Sequence, residues 1–269
     1  MNLDFLQISL LAMLQGLTEF LPISSSGHLL LPSMLLGWTD QGLTFDVAVH
    51  IGSLLAVFIY FGRDIQKLML AWFESVTSSK QSDDSRLAWL LIIATVPGGI
   101  AGLLANDLVE EYARSVVIVA ITSIVFALLL LWSDHARVKQ KGLMELNWKS
   151  ALFIGCAQVL ALIPGTSRAG VTMMAGLFCQ LTREAAARFS FLMSIPIILA
   201  SGLLKSFELY SIGSDSFQWL VLLYAATVSG LVAFSCIHFF LQLIERVGFL
   251  PFVVYRIFLG GLLLIIFFT

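Results

Sequence analysis

Residues 15–28 read Gln15-Gly16-Leu17-Thr18-Glu19-Phe20-Leu21-Pro22-Ile23-Ser24-Ser25-Ser26-Gly27-His28, and they interrupt an apolar stretch running from 5 to 36. A glutamate, a proline and three successive serines break what would otherwise be a helix long enough to cross a bilayer. The stretch therefore reads as two half-helices joined by a polar loop. A second segment, 151–181, is broken in the same way by Gln158, Pro164 and Gly165-Thr166-Ser167-Arg168. Irregular backbone in hydrocarbon leaves amides unpaired, so it persists only where protein buries it or where it lines a wet cavity. A re-entrant helical hairpin meets that condition, and the sequence predicts two of them.

Outward from these breaks, six apolar runs lie at 43–61, 88–106, 115–132, 186–205, 217–241 and 250–268, each matching the roughly 17–25 residues that a crossing needs. The expected fold class is an all-α membrane protein of about six transmembrane helices plus two re-entrant hairpins. Composition agrees: 59% of the 269 residues are hydrophobic, 12% are charged and the mean hydropathy is +0.95, so the lipid bilayer is the solvent and partner. A net charge of -2 with scattered Lys and Arg excludes a nucleic-acid partner. Cys156, Cys179 and Cys236 sit in apolar runs without C-x-x-C spacing and read as small hydrophobes. The N-terminal MNLDFLQISL lacks the basic start and cleavage site of a signal peptide, so it is expected to stay in the mature protein.

The two breaks resemble each other. An offset of 143 places Gln15 on Gln158, Ser24 on Ser167 and Gly27 on Gly170, with Pro22 one position from Pro164. Each break precedes three spans, so the chain reads as one integral membrane domain, 1–269, of two halves, 1–132 and 150–269, around a cytoplasmic loop at 133–149. An odd number of crossings inverts the second half, and inverted repeats with discontinuous helices build sites for charged groups near the midplane. An irregular bundle with two poorly packed segments is the plainer alternative.

Charge orients the chain. One side receives Arg63, Lys67, Lys80, Arg86, Arg137, Lys139, Lys141, Lys149, Arg183, Arg188 and Arg246, the other only Arg114 and Lys205. The basic side is cytoplasmic by the positive-inside rule, which puts both termini in the periplasm. The acids Asp4, Asp40, Asp107, Glu110, Glu111, Glu208 and Asp215 fall opposite.

Gln15 and Glu19 share a helix face at i and i+4. An acid near the bilayer centre costs about 2.5–3.5 kcal/mol, which makes Glu19 a functional-site candidate, although it can also snorkel or bond its own hairpin. Ser24, Ser25 and Ser26 precede a helical run as N-caps do, while His28, three residues after Ser25, offers a nucleophile–base pair. Arg168 has no acid from 151 to 183, so its counter-charge lies elsewhere: it is either a phosphate-binding fork or a structural partner for Glu19. Gly165 and Gly170 leave backbone open to a ligand, and helix N-termini near Gly27 and Gly170 add oriented N–H groups. Asp46 and His50, at i and i+4, are expected to line the same cavity or support a metal. Arg256 is expected to snorkel to the cytoplasmic surface. Lys80 to Arg86 reads as a solvated connection.

At these residues the sequence resembles the undecaprenyl-diphosphate phosphatase family, the bacterial membrane enzymes of the bacitracin-resistance type. The family's E/Q-x-x-x-E followed by P-x-S-S-x-G-H appears as Gln15 to Glu19 and Pro22 to His28. Its P-G-x-S-R-S-x-x-T appears as Pro164 to Thr172, with Ala169 in place of the usual serine, and Phe249 to Arg256 matches its last helix. The resemblance implies removal of the terminal phosphate from undecaprenyl diphosphate, recycling the lipid carrier of peptidoglycan and other envelope glycans. It implies a site in the bacterial inner membrane opening to the periplasm, and a divalent cation, Mg2+ or Ca2+, with Glu19 and Gln15 holding the metal or a water. Ser25 or His28 would attack, the other moving the proton. Arg168 and the amides around Ser167 would stabilise the phosphoryl charge, and Ser24, Ser26, Gly27, Gly165, Thr166 and Thr172 would complete substrate binding. Oligomeric state stays open, a homodimer among the options.

Two other classes compete. Inverted repeats and broken helices are also transporter and lipid-flippase hardware, and fold alone does not decide. The type-2 phosphatidic acid phosphatases share S-G-H and S-R elements, but their second histidine falls here on Met174 and no Lys-rich motif precedes Ser25.

Overall fold

A computed structural model describes residues 3–78, 80–112, 115–136, 140–212 and 219–268. Arg114, Arg137, Lys139 and Asp215 lie outside these, as do the side chains of Lys205, Asp107, Glu110, Glu111 and Glu208. The described chain is helical: α1 (Phe5–Thr18), α2 (Ser25–Leu36), α3 (Gly42–Tyr60), α4 (Gly62–Ser78), α5 (Asp83–Tyr112), α6 (Val116–His135), α7 (Trp148–Gln158), α8 (Arg168–Phe178), α9 (Arg183–Ile212), α10 (Trp219–Val247) and α11 (Leu250–Phe268). Short 3-10 turns occupy Leu143–Glu145 and Val159–Leu162, and the described residues hold no strand, only an isolated bridge from Lys141 to Leu181.

Six of these helices, α3, α5, α6, α9, α10 and α11, are long and apolar enough to cross a bilayer. Their lipid-facing residues stay bare, Leu104 and Leu220 being each 82% exposed, and the chain is a multi-pass membrane protein. The helices outrun the apolar runs at their charged ends. Lys80 to Arg86 is largely exposed as expected, but only 80–82 is a connection, since Asp83 to Arg86 forms the first turn of α5 and the Arg86 guanidinium donates to the Met144 carbonyl. The expected loop 133–149 is likewise shortened, because α6 continues to His135 and α7 begins at Trp148. Hydropathy marks where lipid touches a helix, whereas hydrogen bonding carries the helix on into the polar interface.

Element α4 is absent from the sequence reading. Arg63, Asp64, Lys67 and Glu74 make 62–78 too polar to span, yet Met69, Leu70, Phe73 and Val76 form an exposed apolar face, the pattern of a helix lying in the membrane interface.

Both breaks occur where expected, at 19–24 between α1 and α2 and at 163–167 between the 3-10 turn and α8. The halves pack reciprocally: α1 lies on α10, α7 on α5, α3 on α9 and α6 on α11. Close approach needs glycine. A Cβ on Gly16 would strike the Ser229 carbonyl, and one on Gly155 the Ala94 carbonyl. On the basic side Arg183 grips Asp134 with two bonds of 2.8 and 2.9 Å, and Asp134 also accepts from the Phe249 amide, tying α6 to α9 and α11.

Candidate active site

The two helix starts at the breaks are built alike. Ser24 caps α2 at φ 72° and Ser167 caps α8 at φ 71°. Each hydroxyl accepts from the amide three residues on, Gly27 N at 3.4 Å and Gly170 N at 3.1 Å. The left-handed region is costly for a residue with a Cβ and persists only where its surroundings hold it. This geometry turns the residue after each cap toward one cavity, and those residues are Ser25 and Arg168, equivalent under the offset of 143.

Ser25 Oγ donates to Glu19 Oε2 at 2.8 Å, and Arg168 Nη2 donates to Glu19 Oε1 at 2.8 Å. Gln15 Nε2 also donates to Oε2 at 3.0 Å, and His50 Nε2 stands 3.7 Å from the same oxygen. The carboxylate is 8% exposed, and these four neighbours replace its water. The counter-charge of Arg168 is therefore the glutamate 149 residues before it. Arg168 spends one further donor on the Ser190 carbonyl, which leaves three of its five N–H groups without a partner among the described residues and open to a ligand. The cavity holds about 420 Å3 and is lined by Glu19, Ser24, Ser25, Ser26, Asp46, His50, Gln158, Ser167, Arg168 and Ser201, with Leu43, Val47, Ala161, Leu162, Ile197 and Ile198 among its apolar residues. Asp46 and His50 share it as expected, with Gln41 donating to Asp46 and His50 Nδ1 donating to the Asp46 carbonyl.

His28 is not Ser25's partner in this arrangement. Its Nδ1 faces the Ser24 carbonyl at 2.7 Å and its Nε2 faces the Tyr255 hydroxyl at 2.6 Å. A carbonyl only accepts, so Nδ1 carries the proton and the tyrosine donates to Nε2. Four of the expected substrate contacts stand behind the cavity. Gly27 supplies its amide to Ser24, Gly165 and Thr166 supply carbonyls to Arg256, and the Thr172 hydroxyl bonds the Arg168 carbonyl and the Ser190 hydroxyl. Gly165, at φ +87°, is required by packing, since a Cβ there would strike Thr122 and Val119.

Arg256 does not snorkel. It is 0% exposed and donates to the carbonyls of Pro22 (3.1 Å), Ser123 (3.2 Å), Thr122 (3.5 Å), Gly165 (2.8 Å) and Thr166 (3.0 Å). The two chain breaks strip the carbonyls of Pro22, Gly165 and Thr166 of helical partners, and one buried guanidinium satisfies them while also bonding Thr122 and Ser123 of α6. One side chain of α11 thus clamps the first break to the second.

The chain matches the family described as "Bacitracin resistance protein BacA" over residues 8–262. It belongs to that family. Its relatives include the undecaprenyl-diphosphatase of Alteromonas mediterranea, 54% identical across 96% of this chain and 97% of that one. Undecaprenyl-diphosphatase 1 of Pseudoalteromonas translucida is 50% identical over the same shares, and the undecaprenyl-diphosphatase of Nitrosococcus oceani is 48% identical across 98% of this chain and all of its own. In this member of the family the residues that meet at the cavity are Glu19, Ser25 and Arg168, with His50 and Asp46 beside them and Arg256 and His28 behind.

A divalent cation has a fitting but thin donor set. The described residues hold no group of three or more His, Cys, Asp or Glu side chains placed to bind a metal. Gln15 Oε1, however, is buried beside Glu19 without a hydrogen-bond partner among the described residues. Magnesium characteristically uses one or two carboxylates and takes its remaining ligands from water and substrate phosphates, which suits such a site.

Proposed function

We propose that this protein hydrolyses undecaprenyl diphosphate to undecaprenyl phosphate and inorganic phosphate, with Ser25 as nucleophile and Glu19 as its base. The carrying observation is the chain Ser25–Glu19–Arg168, drawn from two hairpins onto one cavity wall. Ser25 Oγ gives its proton to Glu19 and forms a bond to the terminal phosphorus. The bridging P–O bond breaks, and the lipid monophosphate leaves with the proton that Glu19 had taken. Glu19 then deprotonates the water that attacks phosphoserine, which releases phosphate and restores the hydroxyl. Arg168 turns its remaining donors to the equatorial oxygens, where charge spreads in the transition state. His28, engaged at both ring nitrogens, holds the loop that presents Ser25.

Glu19 and the free carbonyl of Gln15 would hold the Mg2+ or Ca2+ together with the diphosphate. When bound, the cation supplies neutralisation of the phosphate charge. The lipid tail leaves along Leu43, Val47, Ile197 and Ile198, which line the cavity's apolar wall.

Charge supports the reading that the site opens to the periplasmic side of the bacterial inner membrane. The cavity uses Asp46 and His50 early in α3, Gly98 past the middle of α5 and Ser201 late in α9. Arg63 and Lys67 follow the end of α3, and Arg86, Arg183 and Arg188 lie at the starts of α5 and α9. The basic ends are cytoplasmic by the positive-inside rule, so the cavity belongs to the other half of the bilayer.

The test is purified protein in detergent with labelled prenyl diphosphate, stopped by rapid quench. Phosphate release with transient phosphoserine is the expected result. No release without a membrane gradient would favour a transporter, and labelled histidine would replace Ser25 with His28.

A further inference from the structure

Gln158 is 3% exposed, lines the cavity, and has no hydrogen-bond partner for either amide atom among the described residues. Buried amides in folded proteins are almost always paired, so both atoms call for explanation. The internal repeat supplies one. Gln15, its equivalent in the first half, donates to Glu19 one turn on. The position equivalent to Glu19 in the second half is Leu162. The second half thus keeps the amide and lacks the carboxylate. The opposite wall makes room for this side chain with a glycine, since a Cβ on Gly98 would press into Nε2 and Cδ of Gln158.

We propose that Gln158 is a substrate-binding residue whose Nε2 donates to the phosphate that stays on the lipid. The inference rests on the diphosphatase reading above. Ser25 and Arg168 meet the terminal phosphate, and a diphosphate brings a second group that needs a donor of its own. Glu19 and Asp46 repel it, while Ser24, Ser25 and Ser167 already bond within the protein. Gln158 lines the same cavity as Leu43, Val47, Ile197 and Ile198, the apolar residues assigned above to the lipid. A carboxamide offers two N–H groups without a charge, so it binds the remaining phosphate yet lets the product leave.

The experiment compares wild type, Gln158→Leu and Gln158→Glu in detergent. It measures kcat and KM on a prenyl diphosphate, inhibition by prenyl monophosphate and by inorganic phosphate, and ligand-free thermal unfolding. In Gln158→Leu, kcat/KM falls by about 10- to 100-fold, the range for one lost hydrogen bond to a charged group. Prenyl monophosphate inhibits more weakly by a similar factor, inorganic phosphate inhibits as before, and the unfolding temperature holds or rises because an unpaired amide is gone. Gln158→Glu loses more, since a carboxylate then faces phosphate. Unchanged kcat/KM in Gln158→Leu overturns the proposal. So does a fall in unfolding temperature with both inhibitors unaffected, or weakening of inorganic phosphate alone. A wild-type protein that releases no phosphate defeats the diphosphatase reading instead.

Discussion

Replacing Arg256 by methionine tests whether one side chain sets the alignment of the two hairpins. Four of its five bonds, to Pro22, Ser123, Gly165 and Thr166, lie between 2.8 and 3.2 Å. At about 1.5 kcal/mol for a hydrogen bond from a charged donor, four such bonds amount to about 6 kcal/mol. Relief from burying an unpaired guanidinium offsets part of this, while the carbonyls left bare add to the cost. The net is expected at roughly 3–5 kcal/mol, in the upper tail that point substitutions reach when a buried hydrogen-bond network is broken. Catalysis responds separately, because Ser25 and Arg168 belong to different hairpins and a misplacement of about 1 Å costs on the order of 100-fold in rate. Arg256→Met is therefore expected to lower the unfolding temperature in detergent and to reduce kcat by about 100-fold. Arg256→Lys, with three donors for five acceptors, falls between. Wild-type kcat with wild-type unfolding in Arg256→Met would refute the clamp.

Ser25→Ala is expected to lose about 1000-fold or more in kcat and to yield no phosphoserine in the quench assay; substantial turnover would mean that water attacks directly. Arg168→Ala should lose about 100- to 1000-fold, with only partial recovery in Arg168→Lys, which lacks the planar fork; full recovery by lysine would show that point charge suffices. Gln15→Glu places a second carboxylate beside Glu19, so half-saturation by Mg2+ is expected at lower concentration and chelation to inhibit more deeply. A metal titration superimposable on wild type would remove Gln15 from the cation site. With Cys156, Cys179 and Cys236 replaced by alanine, a cysteine at position 67 should react with an impermeant maleimide only from the cytoplasmic side, and one at position 40 only from outside; the reverse pattern would invert the chain.

The spans and both breaks were legible because lipid imposes a coarse rule: twenty apolar residues cross, and serines, glycine and arginine amid them do not. Glu19, Ser25 and Arg168 stood out by the same logic, as polar groups where polarity is expensive. The partners of His28 were not legible, since the sequence puts it three residues from Ser25 while the fold gives its nitrogens to Ser24 and to Tyr255, 227 residues away. Arg256 misled for a related reason. Near a helix end, snorkelling is the ordinary fate of an arginine, and only a count of the carbonyls bared at Pro22, Gly165 and Thr166 shows that something must satisfy them. Helix α4 escaped because a search for crossings passes over a helix too polar to span.

The matched caps at Ser24 and Ser167 bear on how such a catalyst can arise. A dimer of two identical units would set hydroxyl against hydroxyl, or guanidinium against guanidinium, across its axis, and neither pairing both attacks phosphorus and steadies the charge that follows. Joining the units in one polypeptide lets equivalent positions differ, Ser25 against Arg168 and Glu19 against Leu162, so the two halves bring unlike groups to one cavity.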